Sequence, residues 1–310
     1  MKQKFLILLC MFFMSGIAQL CSAQTDQDAI MMNKIQFCNG PMYSYAVWNH
    51  YWEGTFKRTN ENLGTVTTQS VMYMANYGIT GKLNVMAGAP NVWTNASAGT
   101  LHSSNGLQDI SVIVKWKPIT WSFAENKLSV FAIGGFSTPL TNYQIDYLPI
   151  TIGLGSTNLT GRVMADFQHK RFTVTASAAY IWRSNVKIDR SAYYDTQMHL
   201  TNDVKMPDAA QFQLRTGYRG KYILAEALVT NLTTLGGFDI TRNNMPFPSN
   251  RMNMTTVGAS IKYTLKSYTH LSLLAGANYT VAGRNVGQSR AFNLGAFYAF
   301  YFKKPLQKNL

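Results

Sequence analysis

A period of two in the apolar residues is the feature that most constrains this chain. In residues 171–183, RFTVTASAAYIWR, the apolar side chains Phe172, Val174, Tyr180 and Trp182 alternate with polar ones. Successive side chains of a β-strand point to opposite faces, so this period predicts strands with one apolar and one polar face. Residues 107–117, LQDISVIVKWK, repeat the pattern with alternating apolar and polar positions.

The same alternation runs through most of the chain and predicts a barrel. Twelve candidate strands lie at about 42–57, 65–77, 82–90, 107–117, 127–138, 158–168, 171–183, 209–219, 221–231, 251–264, 269–282 and 289–302. Strands of this length with an apolar outer face, a polar inner face and aromatic ends are typical of transmembrane β-barrels. We therefore predict an all-β, antiparallel up-and-down transmembrane barrel of about 12 strands, within a range of about 10 to 14.

The lengths of the connections support this prediction. Those after the even-numbered strands are short or moderate, and PITWSFAEN is the longest of them. The connections after the third, fifth, seventh and ninth strands are long, at 91–106, 139–157, 184–208 and 232–250. Bacterial barrels alternate short periplasmic turns with long external loops. The parity therefore places both termini in the periplasm and the long loops outside.

The N-terminal residues are typical of an export signal. Lys2 and Lys4 precede an apolar core at 5–14, and Cys21-Ser22-Ala23 forms a small-residue cleavage site. A lipoprotein signal at Cys21 is the weaker alternative, because Leu20 is not a small residue. We expect a bacterial outer-membrane protein.

The predicted organisation has four parts. A signal peptide covers 1–23, and a periplasmic lead or small plug covers 24–40. The outer-membrane barrel covers 41–302, and a periplasmic extension covers 303–310.

The charge balance favours anionic partners. The formal net charge is +14, and basic residues at both rims of a barrel would meet phosphate headgroups. We expect outer-membrane lipid and lipopolysaccharide, the barrel-insertion machinery and a small-molecule solute as partners. An exported strand-rich chain has no expected contact with nucleic acid, and no cofactor is predicted.

Charged residues on the polar face mark a candidate solute path. The inward-facing candidates are Asp109, Lys115, Arg162, Asp166, Arg215 and Glu226. A tight turn near 219–221 brings Arg215 and Glu226 close to opposite each other, while Arg162 and Asp166 share one inward face. These charges predict either a constriction that selects solutes or ion pairs that stiffen a narrow lumen.

Two other features of the sequence suggest an exit or a catalytic site. Gly134 and Gly135 lie in mid-strand, where glycine permits a bend, and are the candidate for a lateral opening toward lipid. His102 lies beside two serines in an external loop, as in a hydrolase site, but loop polarity is the favoured explanation, since such adjacency is common among many serines. We predict no catalytic residue and no enzyme.

Methionines provide the only hint of a metal site. They cluster at Met31, Met32, Met245, Met252 and Met254, and thioethers suit Cu(I). Apolar packing is the favoured explanation, because fifteen methionines in 310 residues cluster by chance, so no metal site is predicted.

Three segments carry a family resemblance: NYGITGKLNVMAGAP, GLQDISVIVKWK and VAGRNVGQSRAFNLGAFYAFYF. In them Tyr77-Gly78 stands at a tight turn, Pro90 ends a strand, and Gly283-Arg284-Asn285 precedes an aromatic last strand. With these features the chain resembles the MetA-pathway of phenol degradation family of outer-membrane transporters, which is loosely akin to the fatty-acid transporters. The resemblance covers about residues 50–302.

The resemblance implies a channel or transporter for small, often hydrophobic or aromatic solutes, without a catalytic motif. Two features depart from related barrels: KKPLQKNL follows Phe302, and the lead is shorter than the plug of the fatty-acid transporters. The alternative is a structural barrel with a closed lumen, whose basic loops bind surface polymers.

Overall fold

The protein is represented by a computed structural model that describes residues 25–101, 103–240 and 246–302. The predicted signal peptide, the C-terminal extension, His102 and Met245 lie outside the described residues. The signal peptide, the extension and the histidine site therefore stay predictions.

The twelve-stranded barrel is confirmed. Its strands are β1 (Gln36–Trp48), β2 (Val66–Thr80), β3 (Leu83–Ala96), β4 (Asp109–Phe123), β5 (Asn126–Pro139), β6 (Asn158–His169), β7 (Phe172–Arg183), β8 (Ala209–Arg219), β9 (Ile223–Thr234), β10 (Asn253–Thr264), β11 (Leu271–Arg284) and β12 (Arg290–Tyr301). Each strand pairs antiparallel with its neighbours, and β1 pairs with β12 to close the sheet. Closure removes the sheet edges, as a spanning barrel requires.

The alternation assigns the two faces as the sequence predicts. Trp116, Val163 and Phe212 are exposed on the outer wall, Val163 at 63% of its surface. Lys115, next to Trp116 in the chain, has no exposed surface. An apolar outer band around polar inner residues suits a wall immersed in lipid, so the barrel belongs in the outer membrane. No helix among the described residues is long and apolar enough to cross a membrane.

The parity of the connections is also confirmed. Five short turns join the even-numbered strands to the next ones, at 81–82, 124–125, 170–171, 220–222 and 265–270. The opposite end carries the connections 49–65, 97–108, 140–157, 184–208, 235–252 and 285–289. We refer to the two ends as the periplasmic and the external end.

Three predicted strand boundaries are wrong. The third strand does not end at Pro90, which pairs with Met72 in mid-strand, but continues to Ala96, so 91–96 of the predicted loop are strand. β1 spans Gln36–Trp48, so five residues of the predicted lead belong to the wall, while His50–Glu53 forms a separate hairpin with Phe56–Thr59. Aromatic residues on both faces near Trp48 hid the end of the strand. β4 continues to Phe123, so most of PITWSFAEN is strand, and a register shift between Trp116 and Ile119 masks its period.

The external connections have their own packing. Ser103–Leu107 pairs with β3, Val186–Lys187 with Asp203–Val204, and Tyr193–Tyr194 with Met198–His199. An apolar cluster joins three of these connections; it consists of Ile145, Val186, Ile188, Val204, Met206 and Phe247. The long loops are therefore packed against one another above the barrel.

Candidate functional site in the barrel lumen

Residues 25–35, which we call the lead segment, lie inside the barrel. The segment enters beside the first residues of β1, where the Ile35 amide donates to the Gly78 carbonyl at 2.7 Å. Its Ala29 and Met31 pack on Phe131 and Met164 of the wall. The lead segment thus covers the inward face of β4–β8, which we call the charged wall.

Lys115 is the most buried charge on the charged wall. Its ammonium donates to Asp28 Oδ1 at 3.2 Å, to the Thr25 carbonyl at 3.0 Å and to the Asp28 carbonyl. Its ring neighbour is Phe131, with the ammonium 5.7 Å from the ring centroid. A buried ammonium needs such partners, because an unpaired one loses its hydration without compensation.

Arg162 forms the second link to the lead segment. It donates to Asp26 Oδ2 at 3.0 Å and to Gln211 Oε1 at 2.6 Å. The amide of Gln213 donates to Gln27 Oε1 at 3.0 Å. Three neighbouring residues of the lead segment therefore reach the charged wall through polar contacts.

The predicted ion pair between Arg215 and Glu226 is present. Arg215 donates to Glu226 Oε2 at 2.7 and 3.0 Å, and the Glu226 side chain is 1% exposed. The pair is diagonal, because Arg215 lies opposite Leu228 in the ladder.

Arg162 and Asp166 share the charged wall but do not pair in the structure. Asp166 instead accepts from Arg219 at 3.0 and 3.1 Å and from the Thr175 hydroxyl at 2.7 Å.

Asp109 lies apart from these charges. It is the first residue of β4, at the external end, and accepts a 2.7 Å hydrogen bond from the Tyr143 hydroxyl. Burial, followed by this hydrogen bond, raises the pKa of Tyr143 above its ordinary value, so the phenol stays a donor. Asp109 therefore ties an external loop to the wall.

The other side of the lumen is open. A cavity of about 520 Å³ lies between the lead segment and the inward face of β9–β12, β1 and β2, which we call the open wall. Its apolar lining includes Met42, Met72, Met74, Met254, Leu228 and Leu274, and its polar lining includes Thr256, Thr280, Asn278 and Asn293. Arg215 and Glu226 border it.

The methionines singled out by the sequence lie in apolar clusters or line this cavity. Met31 packs in the lead segment, Met32 belongs to a buried cluster with Cys38, and Met254 lines the cavity. Among the described residues, no group of three His, Cys, Asp or Glu side chains could hold a metal ion.

The wall is continuous at the glycines singled out by the sequence. Gly134 faces outward opposite Gly161, and the ladder between β5 and β6 runs through both Gly134 and Gly135 without a register shift. A lateral opening here stays a prediction, and it would require this ladder to separate.

The ladder between β1 and β12 is less complete. Its residue pairs skip Gly40 and Pro41, and proline has no N–H to donate. An outer groove of about 590 Å³ lies at this seam, bordered by Pro41, Tyr43 and Leu294. Leu274 borders both this groove and the lumen cavity.

Asp26, Asp28 and the residues of the open wall other than Glu226 were not predicted as site residues. The signal for the first two was present: two carboxylates stand two residues apart just before a chain whose predicted lumen is rich in basic residues. The methionines and leucines of the open wall could not be distinguished in the sequence from side chains that only pack.

Comparisons with known proteins agree with this architecture. Residues 54–295 match the model of the family described as MetA-pathway of phenol degradation. No curated protein matches by sequence.

Three solved structures resemble this chain to different degrees. An outer-membrane channel from Pseudomonas putida F1 has a TM-score of 0.70 at 14% identity, covering 90% of this chain and 100% of that one. The NanC porin has a TM-score of 0.45 at 8% identity, covering 83% and 98%. The CymD monoaromatic hydrocarbon channel has a TM-score of 0.37 at 12% identity, covering 87% and 89%.

The fold and the lumen define an outer-membrane β-barrel of the channel type. The chain belongs to the MetA-pathway of phenol degradation family, because the family model covers most of its length. The predicted family is therefore confirmed, and the expectation of a channel or transporter agrees with it.

Proposed function

We propose that this protein passes small hydrophobic or aromatic solutes across the outer membrane through the space beside the open wall. The observation that carries the proposal is the cavity of about 520 Å³ whose lining mixes methionine and leucine with threonines and asparagines, and which Asp26, Asp28, Arg215, Glu226 and Lys262 also border. Binding sites for small organic molecules are concave and mostly apolar, with a few polar groups. Methionine side chains adapt to different apolar shapes.

The family description is consistent with an aromatic cargo, since phenol is an aromatic solute. The other partners predicted from the sequence, lipopolysaccharide and the barrel-insertion machinery, follow from an outer-membrane location and stay predictions. The absence of enzymatic activity likewise stays a prediction.

We also propose that the lead segment is a plug and that its acidic residues hold it in the lumen. Asp26 and Asp28 neutralise Arg162 and Lys115, and Ala29 packs on the wall between them. In this role Lys115 and Arg162 hold the plug, while Arg215 and Glu226 border the solute path. Asp166 supports that border through Arg219, which lies 4.0 Å from Glu226.

We also propose that an apolar solute leaves the lumen sideways, through the seam between β1 and β12. The specific observation is that Leu274 borders both the outer groove and the lumen cavity, and that Gly40 and Pro41 of β1 are unpaired with β12. An exit at Gly134–Gly135 would instead have to break a continuous ladder.

The test of the channel is to fill the cavity from the open wall. Met72→Trp places a large ring in the space, whereas Val163→Trp places the same ring on the lipid face, where Val163 is exposed. Uptake of a labelled monoaromatic solute by cells that express the protein is expected to fall for Met72→Trp and to stay unchanged for Val163→Trp. Equal uptake by both variants and the wild type would contradict the proposal.

The plug has its own measurement. Planar-bilayer conductance of Asp26→Asn/Asp28→Asn is expected to exceed that of the wild type, because both ion pairs to the charged wall are lost. Asp195→Asn/Asp203→Asn removes the same charge from an external loop and is the matched control. A folded plug variant with unchanged conductance would show that the lead segment is not held by these charges.

A further inference from the structure

Two amide side chains of the open wall have buried oxygens without a partner. The Oδ1 atoms of Asn278 and Asn293 are shielded from solvent, and neither accepts a hydrogen bond from any of the described residues. Both side chains line the lumen cavity. A buried acceptor without a donor costs free energy, and most such groups in proteins are paired. The described part of the chain therefore leaves both amides open to a partner inside the cavity.

Strand alternation places both asparagines on the inward face. Asn293 lies between Phe292 and Leu294 in β12, and Asn278 precedes Tyr279 in β11. Phe292, Leu294 and Tyr279 are all exposed on the outer wall. Because successive side chains of a strand point to opposite faces, the two amides point into the lumen.

Each amide lies against a glycine of the neighbouring strand. Asn278 is opposite Gly258 of β10, and Asn293 is opposite Gly276 of β11. A Cβ atom at Gly258 would lie 2.1 Å from Asn278 Oδ1, and one at Gly276 would lie 2.3 Å from Asn293 Oδ1. The glycines thus leave room for the amides. Since Gly276 and Asn278 are two residues apart in β11, the two asparagines are diagonal neighbours, with Cα atoms about 7–8 Å apart.

An asparagine in this position can offer either of its polar atoms to a solute. Rotation about the Cβ–Cγ bond exchanges Oδ1 and Nδ2, and this torsion is broad in asparagine. No hydrogen bond of Oδ1 to a described residue holds either side chain in one orientation. A hydroxyl group both donates and accepts, so it pairs with the amide in both orientations, whereas a methyl group pairs with neither atom.

An apolar row lies beside the asparagines, one inward position nearer the periplasmic end. Leu274 of β11 is opposite Gly295 of β12, which is opposite Met42 of β1. Met42 is in turn opposite Met72 of β2. The leucine and the two methionines line the same cavity as the asparagines. Apolar surface next to a few polar groups suits a solute that has an apolar body and one polar substituent.

We propose that Asn278 and Asn293 select solutes that carry a hydroxyl group. The body of the solute lies on the apolar row, and its hydroxyl group pairs with the amides. This selection rests on the proposed passage of solutes beside the open wall and determines which of them pass best. A hydrocarbon of the same size leaves both amides without a partner, so the wall discriminates against it.

The test compares phenol with toluene, in which a methyl group replaces the hydroxyl. Uptake of each labelled solute is measured in cells that express the full chain, and uptake through the Met72→Trp variant is subtracted as the background. The wild type is expected to prefer phenol. Asn278→Val/Asn293→Val is expected to lower the ratio of phenol uptake to toluene uptake by on the order of fivefold for each hydrogen bond lost.

The matched variant has the same shape as the valine variant and restores a hydroxyl group at each position. Asn278→Thr/Asn293→Thr is expected to keep a higher ratio of phenol to toluene uptake than the valine variant. Equal ratios in these two variants, or a wild-type ratio in the valine variant, would overturn the selection by the asparagines. If Met72→Trp took up both solutes as well as the wild type, the proposed function itself would fall, and the selection with it.

Discussion

The two halves of the lumen differ in what their inward side chains contact. On the charged wall, Lys115 and Arg162 are neutralised by a segment of the same chain, and little space remains. On the open wall, Met42, Met72 and Leu274 face a cavity. The barrel therefore separates a side that holds a plug through ion pairs from a side that offers apolar surface to a solute.

The difference follows from the free energy of the buried groups. A charge inside a barrel must find a partner, because the loss of hydration is not repaid otherwise. Thioether and alkyl groups carry no such requirement and can border an open space. The lead segment consequently fills the side that carries Lys115 and Arg162, whereas Glu226 and Lys262 of the open wall border the cavity together with the methionines.

The largest effect is expected when the ion pair between Arg215 and Glu226, at the border between the two halves, is broken. Arg215→Ala removes the 2.7 and 3.0 Å hydrogen bonds to the buried Glu226 and leaves the ion pair with Arg219 at 4.0 Å. Removing one partner of a buried pair costs about 3–5 kcal/mol, so the free energy of unfolding in urea is expected to fall by that amount.

The exposed pair of a turn provides the control. Lys170→Ala breaks a contact to Glu125 in which both side chains are about 60% exposed, and a loss of at most about 1 kcal/mol is expected. Similar losses for the two variants would mean that Glu226 is not held as a buried charge.

A smaller effect, on solute uptake, is expected from closing the seam between β1 and β12. In a Cys38→Ala background, Tyr43→Cys/Leu294→Cys links opposite residues across the β1–β12 seam, within the reach of a disulfide. Cross-linking is expected to lower uptake of an apolar solute, with recovery on reduction and with conductance unchanged.

The same cross-link at the predicted glycines separates the two possible exits. Gly134→Cys/Gly161→Cys links opposite residues of β5 and β6, and a side chain at either glycine meets open space. Uptake is expected to stay at the level of the Cys38→Ala protein. If this variant blocked uptake and the seam variant did not, the exit would lie at Gly134.

The smallest effect is expected from pH at the external loops. Burial raises the pKa of Asp195, but hydrogen bonds from the Gln197 and Thr196 amides and from His199 outweigh it and lower the pKa to about 2. A carboxyl with a lowered pKa stabilises the folded loop above its ordinary value of 3.8, and this contribution is lost as the pH falls through about 2. Proteolysis of the loop is therefore expected to be equal at pH 7 and pH 5. A marked increase at pH 5 would contradict this.

Much of the barrel could be predicted because its signal is local. Alternation along one strand gives the inner and outer faces, so Lys115 and Arg215 were placed inside from their own neighbours. The pair of Arg215 with Glu226 could be predicted because the short turn between β8 and β9 fixes which residues of the two strands lie near each other. The end of β1 could not be predicted, because aromatic residues near the external rim occupy both faces of the strand.

The sequence by itself determined the strands, their faces, the parity of the connections and the family. Only the tertiary structure decided what fills the lumen. Asp28 meets Lys115 across 87 positions of the chain, and no local pattern encodes a contact over that separation. The open wall likewise exists because the lead segment packs on the opposite side. Closure of the sheet brings distant residues to one lumen, and the cost of burying their charges selects which of them meet.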